Sequence, residues 1–424
     1  MPFTATDCER CRRDFPSLAR TFDGRPLAFF DGPAGTQVPN AVIDAVAGYY
    51  RTSNANTHGF VPAARETDRL LQETREAMAA FLGAADWQSV SFGQNMTTLT
   101  YALSYALARE MKRGDEIVIT QLEHEANRGP WLNLQERGIV VREAAMRPDG
   151  RLDADDLARQ ITDRTRLVAF NMASNSLGTV SDAALARRLS KRVGAWLLLD
   201  AVHYAAHFPL DVMALDADFL LCSAYKFYGP HVGILYARPG LLDALNPDRL
   251  RTQDQEAPYR IETGTLNHAA LAGVKAAVEY IASWGAGASL RERIVSAMRE
   301  IAAYEHGLGA YYYDNVRSIP GVTAHGPDFS GLRAPTVSIT VDGVPPAGVA
   351  KALAEKGLQV WNGHFYGLRP LEILGVAASG GVVRAGIVMY NTREEVDRLL
   401  AGVAEIARLC PTPAPPQPRP ARRA

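Results

Sequence analysis

Cysteine is scarce in this sequence. Its four copies, Cys8, Cys11, Cys222 and Cys410, are too few and too scattered for a disulfide framework and suit a reducing compartment. The pair Cys8-x-x-Cys11 has no second Cys or His pair at a spacing that would complete four zinc ligands, so no metal is expected. An excess of either charge is missing too: 45 basic against 46 acidic residues, a formal net charge of -1, leave no electrostatic footprint for nucleic acid or an anionic membrane. No window approaches a transmembrane span, and the N-terminal MPFTATDCERCRRDF has charge but no apolar core of signal-peptide length. No internal repeat is visible. These absences point to a soluble, cytoplasmic protein with a small-molecule partner. Apolar residues, at 47%, suffice for a large core in two or three domains.

Strand patterns at 89–92, 116–120, 139–142, 166–173 and 195–202 alternate with helical patterns at 99–107, 154–161 and 182–193. Alternation of this kind predicts a mostly parallel sheet covered on both faces, with ligands at the carboxyl ends of its strands. Polar residues gather at those ends: Glu123-His124-Glu125, Ser174-Asn175-Ser176, Asp200 with His203, and Ser223 with Lys226. One such group reads as capping; four on successive strands read as a crevice. Gly93 to Thr98 form a small polar turn before a helix, which suits either a phosphate at the helix N-terminus or a routine threonine N-cap. Two loops upstream, Asp31 to Thr36 and Asn54 to Gly59, read as a site entrance or as plain surface turns.

The stretch from Leu198 to Arg238 is the centre of the reading. An apolar run ends in Asp200, a second ends in Ser223-Ala224-Tyr225-Lys226, and a Gly-Pro segment follows. A buried lysine loses its preference for the charged form, which makes it a nucleophile and a Schiff-base former. Lys226 is therefore read as the attachment point of pyridoxal 5'-phosphate, with Asp200 as the partner of the pyridinium nitrogen.

After Lys226 come a strand at 233–238, the polar loop Glu262 to Asn267 and a helix at 269–284. A long helix at 290–313 then leads to a second alternating pattern, with strands at 322–325, 336–341 and 382–388 and helices at 347–356 and 392–407. The expected organisation is an N-terminal segment at 1–30 packing with the small domain, a large cofactor domain at 31–285, a small α+β domain at 286–410, and a disordered proline-rich tail at 411–424.

In order along the chain stand DGPAGT, NANTHG, FGQNMTTLT, EHEAN, SNSLGT, DAVH, SAYKFYGP, ETGTLNH and VVRAGIVMYNT. With these motifs the sequence resembles, over essentially residues 14 to 408, the class V aminotransferases, and within them the cysteine desulfurase-like group that includes selenocysteine lyase. The resemblance implies an α/β fold of the pyridoxal phosphate transferase type I and an amino-acid substrate. It gives Lys226 the Schiff base and the α-proton, Asp200 the ring nitrogen, and His124 the ring face. Thr97, Ser223, Tyr225 and the backbone N–H groups of Asn95 and Met96 would surround the phosphate. Gly264 and Thr265 would reach the phosphate of a neighbouring subunit, which implies a homodimer with shared sites. Asn175 and His203 would lie near the phenolic oxygen and the substrate, and Arg384 would bind the substrate carboxylate.

The departures matter as much. Desulfurases of the group carry a mobile-loop cysteine that takes up substrate sulfur as a persulfide, whereas residues 361–369 here read WNGHFYGLR. Tyr366 stands close to that position, as a substrate contact, an acid or an aromatic lid. Tyr225 replaces the histidine that usually precedes the lysine, and Gly59 stands where desulfurases often have arginine. The expected activity is a C–S or C–Se β-lyase that works without a loop cysteine. An aminotransferase or epimerase is the alternative, and a non-catalytic cofactor-binding scaffold is the alternative of another class.

Overall fold

A computed structural model describes residues 2–409; the tail at 411–424 and Cys410 lie outside them. Seven strands form the principal sheet: β1 (Val90–Gly93), β2 (Glu116–Thr120), β3 (Val140–Ala144), β4 (Thr165–Asn171), β5 (Trp196–Asp200), β6 (Phe219–Ser223) and β7 (Gly233–Ala237). Their spatial order is β1-β7-β6-β5-β4-β2-β3, and only β7 runs against its neighbours. Because successive side chains leave a strand on opposite faces, each run feeds two cores at once. Leu197 and Leu199 of β5 join Met78, Phe81 and Val274 on one face, while Leu198 joins Leu103, Leu107 and Trp131 on the other. That double burial explains why the central runs, β5 and β6 above all, are continuously apolar and why their polar ends carry information.

A second, antiparallel sheet is built from β8 (Val322–His325), β9 (Thr336–Val341), β10 (Trp361–Gly363) and β11 (Val382–Gly386), in the order β8-β9-β11-β10. Val337, Ile339, Val383 and Ala385 pack on Leu308, Tyr312, Leu353 and Val403 of the surrounding helices. No described helix is long and apolar enough to cross a membrane.

The chain begins with a helix, Ala5–Arg12, closed by a reciprocal cap between Thr4 and Asp7, and the short turn Pro16–Ala19 follows. Cys8 and Cys11 lie buried on that helix and donate to the carbonyls of Asn391 and Met389. The strand expected to reach residue 173 stops at Asn171, whose side chain accepts from Ala173 N–H and donates to the Leu122 carbonyl, turning the backbone out of the ladder. The strand expected at 382–388 stops at Gly386, against which Pro33 packs so closely that a Cβ would lie 2.1 Å from its ring.

Candidate active site

Lys226 follows β6 on a single tight turn, Ala224–Lys226. The loop at 31–36 clamps that turn. Thr36 N–H donates to the Tyr225 carbonyl at 3.0 Å, and its hydroxyl accepts from Tyr228 N–H at 2.8 Å. Tyr228 takes a left-handed φ of 67°, a conformation that costs a bulky residue energy and persists here because both sides of the turn are held. The Lys226 ammonium donates to the Pro33 carbonyl, so a backbone dipole holds it where an ion pair would be expected. Burial, reinforced by Arg384 and opposed by Asp200, lowers its pKa to about 7.

The amine opens on a cavity at the carboxyl ends of β1, β2, β4, β5 and β6, which brings together Asn95, Met96, Thr97, His124, Asn175, Asp200, His203, Ser223 and Tyr225 around Lys226. At one end, helix Met96–Ala108 begins. Asn95 is its cap, accepting from Thr98 N–H at 2.9 Å, so Thr97 is not the cap and its side chain stays exposed. Ser223 Oγ accepts from Met96 N–H at 3.1 Å, tying the end of β6 to the same turn. β7 passes directly beneath it: a Cβ on Gly233 would lie 2.3 Å from the Asn95 carbonyl carbon.

On the cavity floor Asp200 is buried and accepts from Val202 N–H at 3.0 Å. Burial raises its pKa to about 6. Asn171 sits opposite it in register, and Glu123 lies beneath, accepting from Thr120 Oγ1, Asn127 Nδ2 and Asn171 N–H at 2.8, 2.7 and 3.0 Å. Burial pushes the Glu123 carboxyl up to about 8 against the Asn127 hydrogen bond, with the Asp200 charge adding to the effect. His124 Nδ1 accepts from Ala126 N–H at 3.0 Å, which places the proton of the neutral ring on Nε2. Burial, then the charges of Lys226 and Arg384, hold its pKa at about 4, so the ring is neutral. His203 Nε2 meets Thr336 Oγ1 at 3.0 Å, and burial likewise keeps it well below the usual histidine range.

Arg384 lies buried on β11 at the edge of this cavity. Its Nη1 donates to the Asn175 carbonyl at 3.0 Å and its guanidinium carbon stands 3.9 Å from the centre of the Phe365 ring. Asn175 Nδ2 in turn donates to the Phe365 carbonyl at 2.9 Å, and Glu125 N–H to the Tyr366 carbonyl at 2.7 Å. The cysteine-free loop is thus stitched to the cavity wall, between β10 and the helix Leu368–Ile373. Tyr366 is 67% exposed at the rim, its ring 5.7 Å from that of His124.

Gly264 and Thr265 stand outside the cavity within the single chain and line a separate opening with Arg75, Tyr259 and His268. Asn171, Ala126, Ala173 and Val202 also line the cavity, without a local sequence signal for the last three. Asn171 has a usable signal: it is the first polar residue after the apolar run Leu167 to Phe170, but the apolar Met172 and Ala173 beyond it shift the apparent strand end.

The family model of class-V aminotransferases matches residues 28–399. A cysteine desulfurase of Synechococcus elongatus is 35% identical over 416 residues, which is 94% of this chain and 64% of that protein. One of Serratia proteamaculans is 33% identical over 417 residues, 95% of this chain and 98% of its own length. The apo structure of a cysteine desulfurase from Thermococcus onnurineus superposes with a TM-score of 0.85 at 28% identity, covering 94% of this chain and 98% of the other. The donor set fits pyridoxal phosphate on its own terms. It offers a buried carboxylate for a pyridinium N–H, an amine of lowered pKa for the aldehyde, and a helix start with hydroxyls for the phosphate. Two polar atoms of the walls, Asn175 Oδ1 and His203 Nδ1, are buried without a protein partner, as a polar ligand requires.

Proposed function

The chain belongs to the class-V aminotransferase family, and from that premise we propose that it is a pyridoxal phosphate enzyme acting on an amino acid with sulfur or selenium on its β-carbon. The observation that carries this reading is Lys226: a buried amine of lowered pKa, held by a carbonyl, facing the same cavity as Asp200 and His124. The bound cofactor supplies an aldehyde for the substrate amine and a ring that accepts the electron pair of the Cα–H bond. Asp200 would keep a proton at the ring nitrogen, His124 would lie against the ring, and Thr97, Ser223, Tyr225 and the Asn95–Met96 turn would hold the phosphate. Asn175 and Arg384 fix the substrate carboxylate, and Lys226 Nζ takes the α-proton, a transfer for which a pKa near 7 suits neutral solution.

The fate of the substrate after proton removal depends on the rim. Residues 361–369 contain no cysteine, and Cys8, Cys11 and Cys222 are all buried, so no described thiol stands ready to accept sulfur as a persulfide. The β-substituent therefore departs as a free thiol, sulfide or selenide, and the reaction is a β-elimination. Two subunits complete each site in this reading, with a second copy of the chain bringing its Gly264–Thr265 loop to the phosphate.

The purified protein loaded with pyridoxal phosphate should absorb in the visible, and Lys226→Ala should abolish the band. A panel of amino acids read by mass spectrometry should show sulfide or thiol release with keto acid. A keto acid without thiol release would instead mark an aminotransferase, and α-deuterium exchange alone an epimerase. A protein that stays colourless with added cofactor overturns the reading.

A further inference from the structure

The rim loop offers its substrate no thiol, and its one full charge, Arg369, is paired with Glu143 and Glu372. Between Trp361 and Gly367 the side chains are aromatic, imidazole or amide. Phe365 is committed to the Arg384 guanidinium, 3.9 Å from its ring centre. Tyr366 is directed elsewhere: its ring is tilted 38° to that of His124 at 5.7 Å, and His364 meets its edge at 6.1 Å. Two consecutive aromatic residues, Phe365 and Tyr366, hold left-handed φ values of 52° and 58°. Bulky residues adopt that region only when their surroundings fix it, and here the two carbonyls are fixed by Asn175 Nδ2 and Glu125 N–H. The consequence is a Tyr366 ring presented at the mouth of the cavity, 67% exposed, beside the imidazole that lines it from the β2 side. An aromatic wall of this kind recognises a flat apolar group by stacking.

Resting on the lyase reading above, we propose that the substrates are cysteine S-conjugates whose sulfur carries an aryl group, seated against Tyr366. The chemistry agrees with the recognition. An alkyl thiolate or sulfide dianion leaves poorly without an acid to protonate it, whereas an arenethiolate is stable enough to leave as the anion. Lys226 takes the α-proton, the Cβ–S bond breaks with its electron pair going to sulfur, and the three-carbon remainder departs as 2-aminoacrylate. Water then hydrolyses that enamine to pyruvate and ammonia, so that one S-aryl-cysteine and one water give one arenethiol, one pyruvate and one ammonia. No oxidant, reductant or protein thiol enters.

The test compares S-phenyl-cysteine with cysteine on the loaded enzyme, following arenethiol, sulfide and pyruvate, and the red shift of the cofactor band on adding each amino acid. S-phenyl-cysteine is expected to be preferred in kcat/KM, with about two- to tenfold of the preference lying in KM, the range of one aromatic contact. Tyr366→Ala should raise KM for S-phenyl-cysteine and leave KM for cysteine unchanged, with the leaving-group advantage persisting in kcat, and Tyr366→Phe should keep the wild-type KM values, since stacking needs the ring and an acid role would need the hydroxyl. Equal turnover of both substrates, or Tyr366→Phe as poor as Tyr366→Ala, overturns the proposal while leaving the lyase reading intact. A band that neither amino acid shifts, with no thiol, sulfide or pyruvate formed, overturns the lyase reading itself.

Discussion

Lys226 shows what a usable amine demands of a fold. Its pKa of about 7, against an ordinary 10.5, means that between those values the unfolded chain binds a proton that the folded chain does not. Stability of the cofactor-free protein therefore rises with pH across that window, and below pH 7 the full cost of burying the ammonium is present. Lys226→Met keeps the bulk of the side chain and removes the titrating group. The cofactor-free variant is expected to resist urea better than wild type at about pH 6, with the difference narrowing steadily toward about pH 10. A difference that does not change with pH would mean that the lysine is not buried as a lowered-pKa amine. Asp200 loses the Lys226 charge that lowers its carboxyl, so its pKa rises further in the variant, and the narrowing is read between about pH 7 and pH 10, above the Asp200 titration.

At the scale of elements, the segments that position the site are held by contacts no local pattern announces. Arg75, in the helix Pro62–Leu82, makes a two-pronged pair with Glu262 at 2.8 and 2.7 Å, and Glu262 also accepts from Phe92 N–H at 2.7 Å. Both partners are buried, so the pair fastens the loop of Gly264 and Thr265 to β1, the strand that leads into the Asn95 turn. Glu262→Ala leaves Arg75 buried without a counter-charge and should cost about 3–5 kcal/mol in chemical denaturation. The double variant Arg75→Met with Glu262→Leu should recover much of that loss, which separates an unpaired charge from simple loss of packing. The same distinction explains how much is legible in the sequence alone. Strand ends, the Asn95 turn, Asp200 and Lys226 can be read because buried runs stop at polar residues, a local signal. The clamp of the 31–36 loop on the Lys226 turn, the Phe365 ring on Arg384 and the Glu123 carboxyl beneath Asp200 join residues far apart in sequence, so only the folded chain brings them together. The N-terminal helix is hidden differently: its cap is a Thr-x-x-Asp box over eight mostly polar residues, too short to show a clear periodicity.

At the scale of the molecule, the unexplained fact is that ten of the expected site residues converge in one chain while Gly264 and Thr265 do not. The loop they occupy is firmly anchored through Glu262, and Gly264 takes a left-handed φ of 84° with open space where a Cβ would point, so the pair is presented outward. Exposed Ile43, Tyr50, Phe60 and Val61 stand on the helix Asn40–Thr52 and the loop after it, an apolar surface of the kind that associating subunits cover. If each site takes Lys226 from one subunit and Thr265 from the other, two damaged proteins should repair each other. Lys226→Ala and Thr265→Arg proteins, each inactive alone, are unfolded together and refolded with the cofactor. The hybrid carries both lesions in one site and none in the other. At equal input half the dimers are hybrids with one intact site each, so the mixture should regain about a quarter of wild-type activity by this binomial count. No regain, while native mass spectrometry shows the mixed dimers, would place Thr265 at its own subunit's site or at no site.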